Sequence, residues 1–323
     1  HQSRVAIETM IKDNHVTVAG ELSSAHEPDV RELVHRVLAA REPEIRNDFD
    51  LTVHISKQSA DIAQGVDKKG AGDQGMMFGY ATDETRKLLP LPFVLATEAI
   101  QYLQQGDYPI LKPDAKSQVT YDYRKHRIDT FLISTQHTEQ AKLTDVQEIC
   151  SHIMWKIADA YGLNRDFRIL VNPTGRFVTG GSFADSGVTG RKIIADTYGG
   201  AAHHGGGAFS GKDPTKVDRS AAYMARRIAK DVIRAGLAHK CEIQLSYAIG
   251  VEEPVGIYVN TFHTGKAPAG YIVKWIRKRY DLTPEGMIDF LGLRNVDYNY
   301  TSSLGHFWRQ WLPWEDESRP YGK

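Results

Sequence analysis

Residues 199–220 read GGAAHHGGGAFSGKDPTKVDRS, which places a run of glycines directly before a run of alternating cations and carboxylates. Glycine has no Cβ, so backbone N–H groups in such turns approach a ligand closely, and successive N–H groups form a concave anion site. Three cationic side chains follow the glycines, namely Lys212, Lys216 and Arg219. Asp213 and Asp218 are candidates to hold a divalent ion between the protein and a phosphate group. We predict that this stretch, named the cradle below, binds a polyanion.

A P-loop is the first alternative for the cradle. Residues 206–212 fit the G-x-x-x-x-G-K part of that motif, which requires Ser or Thr at the next position. Asp213 stands there instead, and no predicted strand leads into the glycines, so we reject a P-loop NTPase. A flexible surface loop is the other alternative. A second stretch of glycines and cations argues against it, because residues 172–181 read NPTGRFVTGG and Arg191-Lys192 follow Gly190.

Composition indicates an ordinary globular protein. The chain has 323 residues, 41% of them hydrophobic and 25% charged, which is enough for a large core or several subdomains. Its 40 basic and 40 acidic residues balance, which argues against a nucleic-acid binder driven by bulk charge. No apolar run approaches the ~20 residues of a membrane span, and we see no signal peptide. Cys150 and Cys241 are expected to be buried free thiols in a reducing cytosol, and the histidines form no zinc pattern.

The hydrophobic pattern predicts mixed strands and helices. Predicted strands cover residues 4–10, 15–20, 51–56, 119–123, 127–134, 168–172, 241–249 and 255–262. Predicted helices cover residues 28–40, 88–105, 144–161, 217–235, 269–279 and 284–291. Residues 12–14 form a hairpin turn, residues 58–69 form a polar loop, and residues 113–116 lead into a strand. This mixture favours an α+β fold with sheets backed by helices.

The cradle closely resembles a signature of S-adenosylmethionine synthetases (methionine adenosyltransferases), GGGAFS-x-KD-x-x-KVDRS, at residues 205–220. A second signature of that family, GAGDQG-x-MFGYAT-x-ET, stands at residues 70–85, and the similarity extends from residue 5 to residue 314. The resemblance implies three intertwined subdomains related by pseudo-threefold symmetry, within a single unit spanning residues 1–323. The sequence does not resolve their boundaries.

The resemblance also implies the reaction. Methionine sulfur displaces tripolyphosphate from C5′ of ATP to give S-adenosylmethionine, and the tripolyphosphate is hydrolysed to phosphate and diphosphate. Stabilising that polyanion requires preorganised cations and metal. The expected catalytic residues are Lys116, Asp185, Arg191, Lys192 and Lys212. The expected ATP contacts are Asp114, Lys116, Arg176, Phe177, Asp185, Arg191, Lys192, Ala208 and Lys212.

The remaining implied contacts concern methionine, metals and partners. Methionine is expected to contact Glu21, Gln58, Asp185 and Lys216. Two Mg²⁺ ions, one of them at Asp218, and K⁺ at Glu8 are the expected cofactors. Homodimers, or dimers paired into tetramers, are expected in the cytoplasm, with active sites built from both chains. We expect no nucleic acid and no membrane as partners.

Two features depart from the family pattern. The family's EGHPDK signature is absent from this sequence, which begins with His1 almost directly in a strand, so we expect further residues upstream. Only Lys68 and Lys69 separate GVD from GAGDQG, so either the lid loop is short or residues are missing there; an intact mass of 36.2 kDa would contradict missing residues. If the motif is truly absent, the alternative is a non-catalytic nucleotide-binding subunit. An unrelated phosphotransferase is the third hypothesis, and it would consume ATP without methionine.

Overall fold

The computed structural model describes residues 2–57 and 70–322, and within them the chain forms an α+β fold. Ten strands are present in these residues: β1 (Arg4–Lys12), β2 (His15–Ser23), β3 (Asp50–Ser56), β4 (Gly75–Thr82), β5 (Leu111–Asp122), β6 (Arg127–His137), β7 (Arg168–Val171), β8 (Gly187–Val188), β9 (Lys240–Tyr247) and β10 (Gly256–Asn260). They form three sheets. The polar loop predicted at residues 58–69 lies outside the described residues.

Seven α-helices accompany the sheets in the described part of the chain: α1 (Val30–Arg41), α2 (Leu91–Gln105), α3 (Leu143–Ala160), α4 (Gly181–Ala184), α5 (Val217–Arg234), α6 (Ala269–Arg279) and α7 (Pro284–Leu291). Local signals set several of their ends. Asp29 caps α1 by accepting a hydrogen bond from the Glu32 N–H, and Thr283 caps α7 in the same way through Gly286. The predicted class, sheets backed by helices, is confirmed.

The first sheet has the strand order β3-β2-β1-β8. β1 and β2 form the predicted antiparallel hairpin, and β3 joins β2 in parallel. One face is apolar, with Val16 and Val18 packed against Leu38 of α1. Two apolar residues of α1, Leu33 and Val37, lie on its exposed side. The other face of the sheet is polar.

The second sheet has the order β10-β9-β4 and lies against α5, the most buried helix. Gly79 of β4 allows the close approach, since a Cβ there would lie 2.0 Å from the backbone carbon of Ala225 in α5. The sequence analysis assigned no strand to residues 75–82. The glycines that permit this packing are the residues that weaken a strand pattern.

The third sheet has the order β5-β6-β7 and packs against α2 and α3. The prediction placed Asp114 and Lys116 before the strand, but both lie within β5, which is a correction. β5 is an edge strand with a register irregularity between Leu111 and Ala115, and such a position accommodates Pro113.

The aromatic C-terminal segment packs into the interior, with Phe307, Trp308 and Trp314 buried in the core around α5. In the part of the chain that the structure describes, we find no helix with the length and apolar character needed to cross a bilayer.

Candidate active site

β1 holds both glycine-cation stretches along one edge. Residues 187–188 form β8 on that edge, and Thr189 extends it by donating its N–H to the Thr9 carbonyl at 3.0 Å. Further along, the Ile7 N–H donates to the Gly211 carbonyl of the cradle at 2.9 Å. The strand therefore brings the two stretches side by side, although they are separate in sequence.

Three predicted site residues share the polar face of the first sheet. Ala6 pairs with Glu21 of β2 on one side and forms a bridge with Lys212 of the cradle on the other. Residues paired across a sheet project their side chains to the same face, as do alternate residues along a strand. Glu8, two residues beyond Ala6, is exposed on that face as well. Glu8, Glu21 and Lys212 thus face one open surface.

Two glycines allow the cradle to fold this tightly. Gly211 has a φ angle of 81°, and a Cβ there would lie 2.1 Å from the Ile7 carbonyl oxygen. At Gly207 a Cβ would lie 2.3 Å from the carboxyl carbon of Asp218. The absence of a Cβ at both positions makes room for these neighbouring protein atoms.

An ion pair occupies the centre of the cradle. Lys212 Nζ lies 2.7 Å from Asp218 Oδ2, and the two side chains are 21% and 22% exposed. Arg219 supports the backbone, because its Nη1 donates to the Lys212 carbonyl at 2.7 Å while its guanidinium lies 4.2 Å from the Tyr298 ring centre. Asp218 sits in the first turn of α5, where the helix dipole favours a carboxylate.

Asp213 does not fit the role of an open metal ligand. Its Oδ1 accepts the Thr215 N–H at 2.8 Å and the Thr215 hydroxyl at 2.6 Å, and its Oδ2 accepts the Val5 N–H at 2.8 Å. Lys216 Nζ lies 3.6 Å from that second oxygen. Both oxygens of this buried carboxylate are occupied within the protein, so the expectation that Asp213 shares a divalent ion with Asp218 is wrong for this arrangement. Asp213 instead shapes the cradle.

The second stretch lies against the cradle at Gly190. Gly190 lies against Ala208, so closely that a Cβ at Gly190 would come within 2.2 Å of the Ala208 Cβ. Arg191 and Lys192 follow directly and are exposed. The structure therefore places their backbone beside the cradle. Asp185 is also exposed, with Oδ1 accepting the Ser186 N–H at 2.8 Å.

The other predicted ATP residues lie on the third sheet and the loop after it. Lys116 is exposed on β5 opposite Ser134, and within the described residues no ion pair joins it to the cradle. Arg176 donates to Glu139 Oε1 at 2.8 Å. Phe177 is half-buried, and its N–H donates to His137 Nε2 at 3.1 Å. This group is therefore built separately from the cradle. Gln58, predicted to contact methionine, lies outside the described residues.

Two carboxylates hold the turn before Asp185: Asp114, which was predicted to contact ATP, and Glu42, which sequence reasoning missed. Asp114 Oδ2 accepts the Gly181 N–H at 2.9 Å, and Glu42 Oε1 accepts the Ser182 N–H at 3.0 Å. The Asp185 N–H in turn donates to the Gly181 carbonyl at 3.2 Å. Asp114 and Glu42 come from different sheets and helices, so no local pattern signalled this contact. In this structure the carboxylate of Asp114 positions the turn.

Two histidines pack within the cradle or against it, His204 from inside the stretch and His306 from the C-terminal segment. His204 Nδ1 accepts the Gly206 N–H at 2.8 Å, and burial lowers the pKa of His204 although Asp218 opposes this. His306 is fully buried, lies edge-on to Phe209 at 5.0 Å and hydrogen-bonds to the Tyr223 hydroxyl at 2.7 Å. Burial and the nearby Arg219 lower the pKa of His306 to about 3. Both imidazoles are neutral here and act as packing groups. The GHF sequence at residues 305–307 is the sequence signal that could have identified His306.

Asp196 is a second titratable group beneath the site. Its backbone carbonyl accepts the His306 N–H at 2.9 Å. Burial raises the pKa of its carboxyl group to about 6, and Lys192 partly offsets that rise. Asp196 therefore connects the C-terminal segment with the Arg191-Lys192 pair, and its protonation state changes near neutral pH.

The residues present fit a magnesium ion that arrives with a polyphosphate. No group of three or more His, Cys, Asp or Glu side chains with metal-site geometry occurs among residues 2–57 and 70–322. Mg²⁺ needs no such group, because it typically uses one or two carboxylates together with phosphate oxygens and water. Asp218 lines a small cleft with Met76, Phe78, His204 and Gly207, where the missing side chain of Gly207 leaves room.

The chain matches two models of a known protein family. Residues 68–177 match the family model described as S-adenosylmethionine synthetase, central domain, and residues 179–316 match that described as S-adenosylmethionine synthetase, C-terminal domain. The second match contains the whole cradle and the Arg191-Lys192 pair, and the first contains Asp114, Lys116 and Phe177. Together the two matches span most of the chain. The chain therefore belongs to the S-adenosylmethionine synthetase family.

Proposed function

We propose that this protein is a methionine adenosyltransferase that makes S-adenosylmethionine from ATP and L-methionine and hydrolyses the tripolyphosphate to phosphate and diphosphate. Membership of the family supports a role in S-adenosylmethionine synthesis in general. The observation that carries the specific reaction is the contact between the two glycine-cation stretches at Gly190 and Ala208, which brings the backbone of Arg191 and Lys192 beside the cradle that contains Lys212.

The cations stabilise the leaving group. When the methionine sulfur attacks C5′, negative charge accumulates on the departing tripolyphosphate, and fixed cations lower the energy of that state. Lys212, Arg191 and Lys192 bind these phosphates in our proposal, and Lys116 adds a fourth cation from β5. Removing one such preorganised donor typically costs about 3–4 kcal/mol of transition-state stabilisation. Arg176 and Phe177 bind the nucleoside, with the Phe177 ring as a face for adenine.

The carboxylates act at the other end of the substrate pair. Asp185 favours the sulfonium charge that develops on methionine and orients the ribose. Glu21, on the polar face of the first sheet, and Lys216 bind the methionine amino and carboxylate groups, together with Gln58. Lys216 lies 3.6 Å from Asp213, so its ammonium is already held at the base of the cradle.

Asp218 holds Mg²⁺ on the phosphates in our proposal, and Glu8 holds K⁺. The divalent ion supplies neutralisation of phosphate charge when it is bound. Lys212 and the backbone N–H groups of the cradle bind the remaining phosphate oxygens and hold the polyphosphate in line with C5′ of the nucleoside. A second Mg²⁺ is proposed from the family resemblance, without an assigned ligand in this chain.

We also propose that the protein self-associates as a homodimer, with a possible pairing of dimers. The outer face of the second sheet supports this, because Met76 and Tyr258 are 53% and 59% exposed there. A cytoplasmic location is proposed as well, since both cysteines are free and buried.

The test is an assay of the full chain with ATP, methionine, Mg²⁺ and K⁺, measuring S-adenosylmethionine, phosphate and diphosphate by chromatography. We expect all three products, strict dependence on methionine, and a loss of at least about 10²-fold in rate for Lys212→Met. ATP consumption without methionine would support a phosphotransferase instead. Tight nucleotide binding without product would support the non-catalytic nucleotide-binding subunit.

A further inference from the structure

The ion pair between Lys212 and Asp218 joins a residue proposed to bind phosphate to one proposed to bind metal. Their charged atoms are 2.7 Å apart, within the range of a charge-assisted hydrogen bond. Each group is thus satisfied by the other before any substrate binds. Either ligand must therefore break this contact to enter.

The backbone keeps the two groups facing each other. Lys212 is fixed by its bridge to Ala6 of β1 and by the hydrogen bond from Arg219 to its carbonyl. Asp218 is fixed in the first turn of α5, with the Gly207 backbone directly above its carboxylate. Ligand entry consequently requires rotation of these side chains and leaves the strand and the helix in place.

The neighbouring charged residues Asp213 and Arg219 are engaged in other contacts and do not replace either partner of the Lys212–Asp218 pair. Asp213 faces Lys216, and both of its oxygens already accept hydrogen bonds from Val5 or Thr215. Arg219 donates to a backbone carbonyl and stacks on an aromatic ring. If Lys212 leaves Asp218, the Asp218 carboxylate loses the cation to which it is hydrogen-bonded in the cradle, and the Lys212 ammonium loses its anion.

From this geometry we propose that the Lys212–Asp218 pair is a gate that couples metal binding to polyphosphate binding. The inference rests on the proposed function and specifies its substrate form. A divalent cation without polyphosphate must displace the Lys212 ammonium from Asp218 and then remain beside that like charge. A polyphosphate without metal must displace the Asp218 carboxylate from Lys212 and likewise remain beside it. A metal–polyphosphate complex presents phosphate oxygen to Lys212 and the cation to Asp218, so both groups exchange one opposite charge for another. The site therefore selects the complex over either component.

The gate predicts that removing one partner strengthens binding of the other partner's ligand. Titration calorimetry of the full chain with inorganic tripolyphosphate in EDTA measures the metal-free anion. Asp218→Asn should bind it at least about fivefold more tightly than the wild type, which is the lower end of typical coupling between two ligands. Electron paramagnetic resonance with Mn²⁺ alone should show the reciprocal gain for Lys212→Met. Both variants should bind tripolyphosphate less tightly than the wild type when Mg²⁺ is in excess, after correction for the complex formed in solution.

A second ion pair provides the matched control. Lys112 Nζ lies 2.7 Å from Glu44 Oε1 on the surface, away from the cradle. Glu44→Gln makes the same change in net charge as Asp218→Asn, and Lys112→Met makes the same change as Lys212→Met. Neither control should alter either affinity, and circular dichroism should show all four variants folded.

The outcomes separate this inference from the proposed function. If Asp218→Asn binds metal-free tripolyphosphate no more tightly than Glu44→Gln does, the gate is refuted, while strong binding of the magnesium complex by the wild type leaves the function standing. Equal wild-type affinity with and without Mg²⁺ also refutes the gate alone. If the wild type binds neither ATP nor tripolyphosphate under any of these conditions, the proposed function fails and the gate fails with it.

Discussion

At the scale of single residues, the site depends on glycine positions, where the lack of a side chain leaves room for a neighbouring group, as well as on its charged side chains. Gly207 brings backbone against the Asp218 carboxylate, where a Cβ would lie only 2.3 Å from its carbon. The carboxylate is the end of a mobile side chain, so a larger residue at 207 displaces it without unfolding the cradle.

Gly207→Ala should therefore weaken binding of tripolyphosphate in excess Mg²⁺ by at least about tenfold, or 1.4 kcal/mol. The melting temperature should change little, because only the Asp218 side chain must move. Gly270→Ala in α6 is the matched control, since an added Cβ there meets open space. Equal binding by the two variants would show that Asp218 does not need this position.

His306 should make stability depend on pH. Its pKa is about 3 in the folded protein against an ordinary value of 6.5, so between these values the unfolded chain binds the extra proton. Stability from this residue is full above pH 6.5 and declines as pH falls toward 3, by up to about 1.4 kcal/mol per pH unit. Asp196 acts in the opposite direction, because its raised pKa of about 6 adds folded-state stability as pH falls from 6 toward 3.8.

Urea denaturation at pH 7 and pH 5 measures this balance. His306→Gln keeps a group that can hydrogen-bond to Tyr223 but does not titrate, so the variant should lose less stability than the wild type between these pH values. Asp196→Asn should lose more. An unchanged pH dependence in His306→Gln would mean that His306 already titrates normally in the folded state.

At the scale of elements, α5 connects the cradle to the C-terminal segment. Its first turn carries Asp218, and further along Arg226 donates to both oxygens of Glu315 at 2.7 and 2.9 Å. Lys230 Nζ donates to the same carboxylate at 2.9 Å. All three side chains are buried, and the two cations hold the pKa of Glu315 below its usual range. The carboxylate fastens the segment that carries His306 and Phe307.

Glu315→Gln should lower the free energy of unfolding by about 3–5 kcal/mol, because it leaves the buried Arg226 without its counterion and leaves Lys230 only the half-exposed Glu317 at 3.4 Å. Urea denaturation at neutral pH measures the loss. Asp159→Asn removes the partner of the exposed Arg165 and should cost at most about 1 kcal/mol. A comparable loss in both variants would argue that the buried network contributes little beyond a surface pair.

At the scale of the whole molecule, three sheets assemble from segments that alternate along the chain. β8 joins β1 from the far side of the sequence, and β4 pairs with β9 although the whole third sheet lies between them in sequence. This interleaving supports the proposal of a single unit spanning residues 1–323. The first and second sheets each take strands from both sides of the segment that forms the third sheet.

The proposed dimer can be tested on the outer face of the second sheet. Tyr258→Lys places a charge on that face, on the edge strand β10 and opposite Gln244 of β9, and should shift sedimentation velocity toward the monomer. Tyr271→Lys on α6 is the control, since Tyr271 is similarly exposed but lies outside the sheet. A wild type that sediments as a fully active monomer would contradict the proposal itself.

The sequence by itself determined the element types and the composition of the cradle. Periodicity located α1, α3, α5 and the β1–β2 hairpin to within a few residues, because amphipathic patterns and turn residues act locally. It missed β4, whose glycines serve helix packing, and placed Asp114 and Lys116 outside β5, because an edge strand with an irregular register tolerates Pro113. These errors fall where a distant contact overrides local preference.

Only the tertiary structure decided which charges are available. From sequence, Asp213 and Asp218 were both candidates for a metal, and the family resemblance favoured Asp218. Asp213 is occupied by Val5 and Thr215, while Asp218 faces the cleft with Lys212 as its partner. Glu42 and His306 had no assigned role, and they support the site through contacts with residues more than 80 positions away. The physical reason is that hydrogen bonds and ion pairs depend on distance in space, and β1 sets those distances by joining both glycine-rich stretches along one edge.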